Sequence, residues 1–216
     1  MKVLQSITLL DGVSRNCRQA LKWSPFEDKC AILLKSGIYI LTLNPVPSNL
    51  STCLNTVPKY LPYEECGNDE DPAIGVQWLP SNRILTRTIS GVTYITDISS
   101  IQRHKMKCKS SVSAILDQWL FLADFNKTIH AFKEDDTEIF SEVCSFALEE
   151  NISDILPLKF GEDVLILVSL VNGLVTMLKL DADKINPLNQ LVRLAISVYF
   201  SNSRKVARKP CFIICN

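Results

Sequence analysis

Between Ala20 and Pro47 the chain reads ALKWSPFEDKCAILLKSGIYILTLNPVP: a short apolar run, a polar turn, a second apolar run, a Ser-Gly turn and a third run. The pattern returns from Gly75 to Ile98 as GVQWLPSNRILTRTISGVTYITDI. In that alignment Trp23 falls on Trp78, Gly37 on Gly91 and Tyr39 on Tyr94, with Ser24 in the first turn. A third segment, SVSAILDQWLFLADFNKTIHAFK, keeps the runs and turns without the Trp-x-Pro. A fourth, ISDILPLKFGEDVLILVSLVNGLVTMLKL, replaces the tryptophan and has a turn glycine at Gly173.

The runs are β-branched and aromatic, are bounded by Gly or Pro, and are too short for stable helices, so they predict strands. Gly in the connecting turns accepts positive φ without steric cost. Blocks of three or four strands recurring roughly every 35 to 55 residues match the blades of a β-propeller. The expected fold is therefore all-β, a WD40-like propeller of about four blades, which is too few to close most such rings. An irregular β-sandwich is the alternative. The domain is expected over residues 1–197, with a long loop over 44–73 in which Leu54 to Val57 could add an outer strand. A further outer strand is expected at Ile139 to Phe146, and a basic, irregular tail over 198–216.

Length and charge narrow the picture further. A chain of 216 residues can bury the core of one domain. It carries 23 basic and 23 acidic side chains, so no global field draws it to nucleic acid or an anionic membrane. The most apolar stretch, Val164 to Leu180, is too short for a bilayer and is cut by Asn172-Gly173, so it predicts two strands. The amino terminus also reads as a strand, its apolar run broken by Asp11. Cys17, Cys30, Cys53, Cys66, Cys108, Cys144, Cys211 and Cys215 are scattered without C-x-x-C spacing, which predicts free thiols in a reducing compartment. The sequons at Asn49, Asn126 and Asn151 would then go unused.

Signals for catalysis are sparse. His104 and His130 are the two histidines, no G-x-S-x-G elbow accompanies them, and seven dispersed glycines make no phosphate cradle. The acidic runs EECGNDEDP and KEDDTE lack the ligand spacing of a calcium loop. No catalytic, cofactor or metal residue is assigned, and no small-molecule substrate is expected. Two basic stretches are candidate phosphate contacts: Arg103, Lys105, Lys107 and Lys109 in an expected inter-blade loop, and Arg204, Lys205, Arg208 and Lys209 in the tail. Rigid blades that present variable loops favour protein binding.

The opening stretch is more particular than a generic blade. Leu21, Trp23 and Ser24, then Gly37, Ile38, Tyr39, Ile40 and Leu41, then Asn44, Pro45 and Pro47 resemble the first blade of the ninety-kilodalton (delta) subunit family of transcription factor IIIC. The resemblance covers residues 16–50 and extends more weakly to about residue 98. It implies a nuclear scaffold subunit of the RNA polymerase III initiation machinery at tRNA and 5S-type genes. Its partners would be other subunits of that factor, with DNA reached mainly through them and no membrane involved. Family members are longer, with a complete propeller and a zinc-binding region, so this chain is expected to be a fragment or truncated form. Acetyltransferase activity attributed to the family has no cofactor motif here. A generic WD40-type adaptor in another intracellular complex is the other reading.

Overall fold

A computed structural model of the chain describes residues 21–34, 37–42, 59–62, 71–135, 140–181 and 184–188. The described residues form sixteen strands and no helix, arranged as four four-stranded antiparallel meanders. Blade 1 comprises β1 (Leu21–Trp23), β2 (Lys29–Leu33), β3 (Gly37–Thr42) and β4 (Lys59–Pro62). Blade 2 comprises β5 (Ala73–Leu79), β6 (Arg83–Thr88), β7 (Thr93–Asp97) and β8 (Arg103–Lys105). Blade 3 comprises β9 (Val112–Leu116), β10 (Trp119–Ala123), β11 (Thr128–Glu134) and β12 (Phe140–Ala147). Blade 4 comprises β13 (Ile152–Phe160), β14 (Asp163–Leu170), β15 (Val175–Asp181) and β16 (Lys184–Pro187). This is an incomplete β-propeller, as the repeat predicts, and Val164 to Leu180 is two paired strands.

Strand alternation sends every second side chain to the opposite face, so each blade can bury one face against the blade before it and one against the blade after. Among the described residues three apolar clusters occupy the three successive junctions. Leu33, Ile38 and Leu61 meet Trp78, Ile84 and Tyr94 between blades 1 and 2. Leu85, Ile95 and Met106 meet Leu120, Phe132 and Phe140 between blades 2 and 3. Phe121, Ile129 and Ala131 meet Ile155, Ile166 and Leu178 between blades 3 and 4. At about 1.5–3 kcal/mol for each large side chain fully buried, these junctions dominate the stability of the arc. No such cluster among the described residues joins blade 4 to blade 1.

Polar side chains tie the same junctions. Arg83, almost fully buried, pairs with Glu134 of blade 3 and lies 5.4 Å over the Phe140 ring. Lys29 Nζ donates to Asn82 Oδ1 at 2.6 Å, and Lys59 Nζ donates to the Ile98 carbonyl, both from blade 1 to blade 2.

The hairpins between second and third strands explain the turn glycines. In blades 2, 3 and 4 three residues form the loop, closed by Thr88, Asp124 and Leu170 N–H groups donating to the carbonyls of Val92, Thr128 and Leu174. The third loop residue is left-handed each time: Gly91 at φ 84°, Lys127 at φ 65° and Gly173 at φ 85°. Such loops place their last residue in that region by construction. Gly37 does a different job from Gly91. Its loop is one residue shorter, since Leu34 N–H donates to the Gly37 carbonyl itself, and its backbone is not left-handed. A Cβ there would stand 2.4 Å from the Leu61 carbonyl oxygen, so glycine is needed for the close approach of β4.

Two outer strands differ from the sequence expectation. β4 lies inside the stretch expected as a long loop, and β8 inside the stretch expected as a basic inter-blade loop. Both are edge strands: β4 ends in Pro62 and β8 is polar throughout, features that edges tolerate because one side makes no ladder. The outer strand expected at Ile139 to Phe146 is β12, described from Phe140. Leu54 to Val57 and the 198–216 tail lie outside the described residues.

Candidate functional site

The first strands of the four blades converge on a cavity of about 870 Å³. Lys22 and Pro25 come to its wall from blade 1, Gln77 and Arg87 from blade 2, Ser113 from blade 3 and Asp154 from blade 4. Cross-blade hydrogen bonds hold the wall. Trp78 Nε1 donates to the Lys22 carbonyl at 2.9 Å, and Ser113 Oγ donates to Gln77 Oε1 at 3.0 Å. The result is a preorganised recess with cationic, amide, hydroxyl and carboxylate groups in reach of one ligand.

At its mouth the Trp-Ser-Pro-Phe turn is fixed by one side chain. Ser24 Oγ accepts from the Phe26 and Glu27 N–H groups at 3.2 and 3.1 Å, and Ser24 N–H donates to the Lys29 carbonyl at 2.8 Å. Ser hydroxyls commonly cap such turns. The turn leaves the Phe26 ring 50% exposed beside Pro25. Sequence patterning did not single out Phe26, Arg87 or Asp154; Arg87, a charge inside the otherwise strand-forming RILTRT, was the available signal.

The residues that sequence did single out separate into structural roles. Trp23 is 57% exposed, whereas its repeat partner Trp78 is 3% exposed inside the junction of blades 1 and 2. Tyr39 packs against Tyr60 with the rings tilted at 41° and their centroids 5.1 Å apart, whereas its partner Tyr94 is buried in that same junction. Gly37 and Gly91 serve strand packing and turn geometry as described above. Pro45 lies outside the described residues, as do Arg204, Lys205, Arg208 and Lys209.

The basic stretch on blade 2 is only partly available to a ligand. Arg103 is bound into the fold: Nη2 donates to the Pro62 carbonyl at 2.9 Å, and the guanidinium lies 5.8 Å over Tyr94. His104, Lys105, Lys107 and Lys109 are exposed, while Met106 between them is buried. The positive charge of Lys109 acts on Asp71. Burial pushes the Asp71 carboxyl up, but hydrogen bonds from the Ser90 hydroxyl and N–H and from Thr88, with Lys109, leave it below the usual carboxylate range.

His130 is held between Glu142 (Nδ1 to Oε1, 2.7 Å) and Asp124 (Nε2 to Oδ2, 3.4 Å) on blade 3. Cys30, Cys108 and Cys144 are free thiols. Burial, with the Glu142 and Asp124 charges, pushes the Cys108 thiol up to about 11, so it stays protonated and unreactive near neutral pH. Among the described residues no cluster has the composition of a metal site.

No family model matches the chain. No curated protein matches it either. Solved structures do. The N-terminal domain of Nup159 superposes with TM-score 0.53 at 11% identity over 77% of this chain and 46% of its own. A structure of S. cerevisiae Dbp5 bound to Nup159, Gle1, IP6 and ADP matches over 76% of this chain. The β-propeller domain of Cps50 (Swd1) from Myceliophteria thermophila matches with TM-score 0.56 at 14% identity, over 78% of this chain and 58% of its own. The computationally designed Ika4 matches with TM-score 0.56 at 11% identity, over 84% and 99%. The chain thus shares the propeller fold and spans about half the length of Nup159's domain.

Proposed function

We propose that this chain is a non-catalytic protein-interaction scaffold, binding an extended segment of a partner at the axial cavity and over the Phe26 turn. The observation that carries this reading is the pairing of an exposed aromatic ring on a hydrogen-bonded turn with a preformed recess of mixed polar character. Aromatic anchors beside desolvated polar groups are where binding energy concentrates. The propeller fold supports it by analogy, since Nup159 is seen with Dbp5 bound.

The finer assignment is a subunit of transcription factor IIIC, acting in the nucleus in RNA polymerase III initiation. It rests on the first-blade motif of Leu21, Trp23, Ser24 and Gly37 to Leu41, whose exit residues Asn44, Pro45 and Pro47 complete the resemblance. Affinity purification of the chain from nuclear extract tests it. Co-purification of other subunits of that factor, reduced by Phe26→Ala with Arg87→Ala, is the expected result. Recovery of a different complex through the same two residues would support the WD40-type adaptor instead, and recovery unchanged by them would remove the cavity from the account.

A further inference from the structure

The three-residue hairpin loops of blades 2, 3 and 4 share a feature that their turn geometry does not require. The third loop residue is left-handed, and the second is polar: Ser90, Asn126 and Asn172. The first is a large apolar side chain turned to solvent each time, with Ile89, Phe125 and Val171 51%, 55% and 66% exposed. Leu174, which closes the last hairpin, is half exposed as well. The equivalent position of blade 1 lies outside the described residues. A single exposed apolar side chain means little, but the same loop position filled in this way in three successive blades is a patterned surface.

Local contacts put the three tips in sequence along one face. The Phe125 ring lies against the Gly91 turn, where a Cβ would stand 2.3 Å from it. The link from blade 3 to blade 4 threads between the next two tips: Leu148 N–H donates to the Lys127 carbonyl at 2.9 Å, and Val171 N–H donates to the Asn151 carbonyl at 2.8 Å. Glu149 and Glu150, both exposed, are therefore held between Phe125 and Val171. The charges on this face are unevenly balanced. Near Ile89, Lys109 acts on Asp71, whose carboxylate accepts from the Ser90 N–H and hydroxyl at 2.7 and 2.6 Å. Asp124 accepts from the Asn126 and Thr128 N–H groups, both at 2.8 Å, and faces His130. Lys127 Nζ donates to the main-chain carbonyl of Glu149 at 2.6 Å. The Glu149 and Glu150 carboxylates make no ion pair among the described residues. Asp71 and Lys109 offset one another, whereas Lys127 with two glutamates leaves a negative excess between the second and third tips.

From this arrangement we infer that the hairpin face docks a basic amphipathic segment of a partner protein, its apolar side chains seated on Ile89, Phe125 and Val171 and its Lys or Arg side chains meeting Glu149 and Glu150. The sign of the charge chooses the occupant. Carboxylates set between apolar tips favour a cation there and disfavour an acidic segment or an anionic lipid headgroup. Apolar anchors supply most of the affinity, while the exposed charges set selectivity and salt dependence. Successive turns of an antiparallel meander alternate ends, so the tips stand at the opposite ends of the strands from the Phe26 turn. The inference thus goes beyond the axial-cavity reading, and its failure would leave the nuclear pull-down with Phe26→Ala and Arg87→Ala unaffected.

Peptide display on the immobilised full chain tests it. The probe is a phage library of random peptides of about 16 residues, roughly 24 Å long as a helix, counter-selected on the chain carrying Val171→Ser with Leu174→Ser. Enriched peptides should gather apolar residues on one side and carry more Lys and Arg than Asp and Glu. A synthetic copy of the most enriched peptide should bind at least about 10-fold more weakly to Val171→Ser and to Phe125→Ser. Glu149→Lys with Glu150→Lys should weaken it about 3- to 10-fold at low salt. Phe160→Ser removes a ring more exposed than any of the three, on the β13–β14 turn at the other end of blade 4, and should leave affinity unchanged. Circular dichroism establishes that the variants fold. If Phe125→Ser does not, because its ring packs on Gly91, Val171→Ser and the glutamate pair still decide the matter. No enriched peptide, an acidic enriched set, affinity insensitive to Val171→Ser, or an equal loss in Phe160→Ser would each overturn the inference. So would Val171-dependent binding to phosphatidylcholine/phosphatidylserine vesicles, or a Val171-dependent dimer in light scattering, in place of peptide binding.

Discussion

Trp23 and Trp78 hold matching positions in the first strands of consecutive blades, each in a Trp-x-Pro sequence, yet one is 57% exposed and the other 3%. The difference lies in neither residue's own strand. It comes from what stands on the preceding side: blade 1 stands before Trp78, and no described blade stands before Trp23. In a propeller, then, a repeat encodes a contact whose fulfilment depends on a neighbour. The same motif can act as core in one blade and as surface in the next.

The largest test of this contrast is to remove each indole in turn at dilutions where the chain is monomeric. Trp78→Ala should cost about 3–5 kcal/mol, through the cavity and the orphaned Lys22 carbonyl, whereas Trp23→Ala should stay within about 0.5 kcal/mol. Urea unfolding of both variants checks this, and equal losses would break the comparison.

The glycines sharpen it at a smaller scale. Gly37→Ala should cost about 1–3 kcal/mol because the new methyl meets the Leu61 backbone, which cannot rotate away. Gly173→Ala meets nothing within 4 Å and should cost only the left-handed strain, about 1 kcal/mol. Thermal melts of the two variants should rank in that order. Lys127→Gly, which relieves the same strain in blade 3, should be stabilising by a few tenths of a kcal/mol up to about 1 kcal/mol, offset by loss of the Lys127 Nζ donation to the Glu149 carbonyl.

The smallest expected effect is electrostatic. Asp71 is depressed in the folded chain, so it contributes stability above its unfolded pKa, and that contribution disappears as pH falls through the folded value. Unfolding curves taken from neutral pH downward should show a shallower acid loss in Asp71→Asn than in the unaltered chain. Ser90→Ala, which removes one donor, should move the acid loss to higher pH.

Much of the fold could be read in advance because hairpins write local signals. The Asn172-Gly173 turn, the alternation in GVTYITDI and the repeat of Trp-x-Pro all reflect short-range geometry. The outer strands β4 and β8 carried no such signal: Pro62 and the run Arg103-His104-Lys105 suit a loop, and only pairing to β3 and β7 makes them strands. For the site, Ser24 was found as part of a motif, though its role is to fix the turn. Phe26 and Arg87 went unmarked, since an exposed ring and one strand charge acquire meaning only once four blades converge. Arg103 was marked for its charge, but its guanidinium is committed to Pro62 and Tyr94. Periodicity gives a side chain's direction, whereas its partner is set by the neighbouring blade.

Hydroxyl-radical footprinting of the dilute, monomeric chain, read by mass spectrometry at single residues, tests the central claim most directly. The account predicts heavy oxidation of Trp23 and strong protection of Trp78. Comparable labelling of the two, or protection of Trp23 with exposure of Trp78, would contradict it.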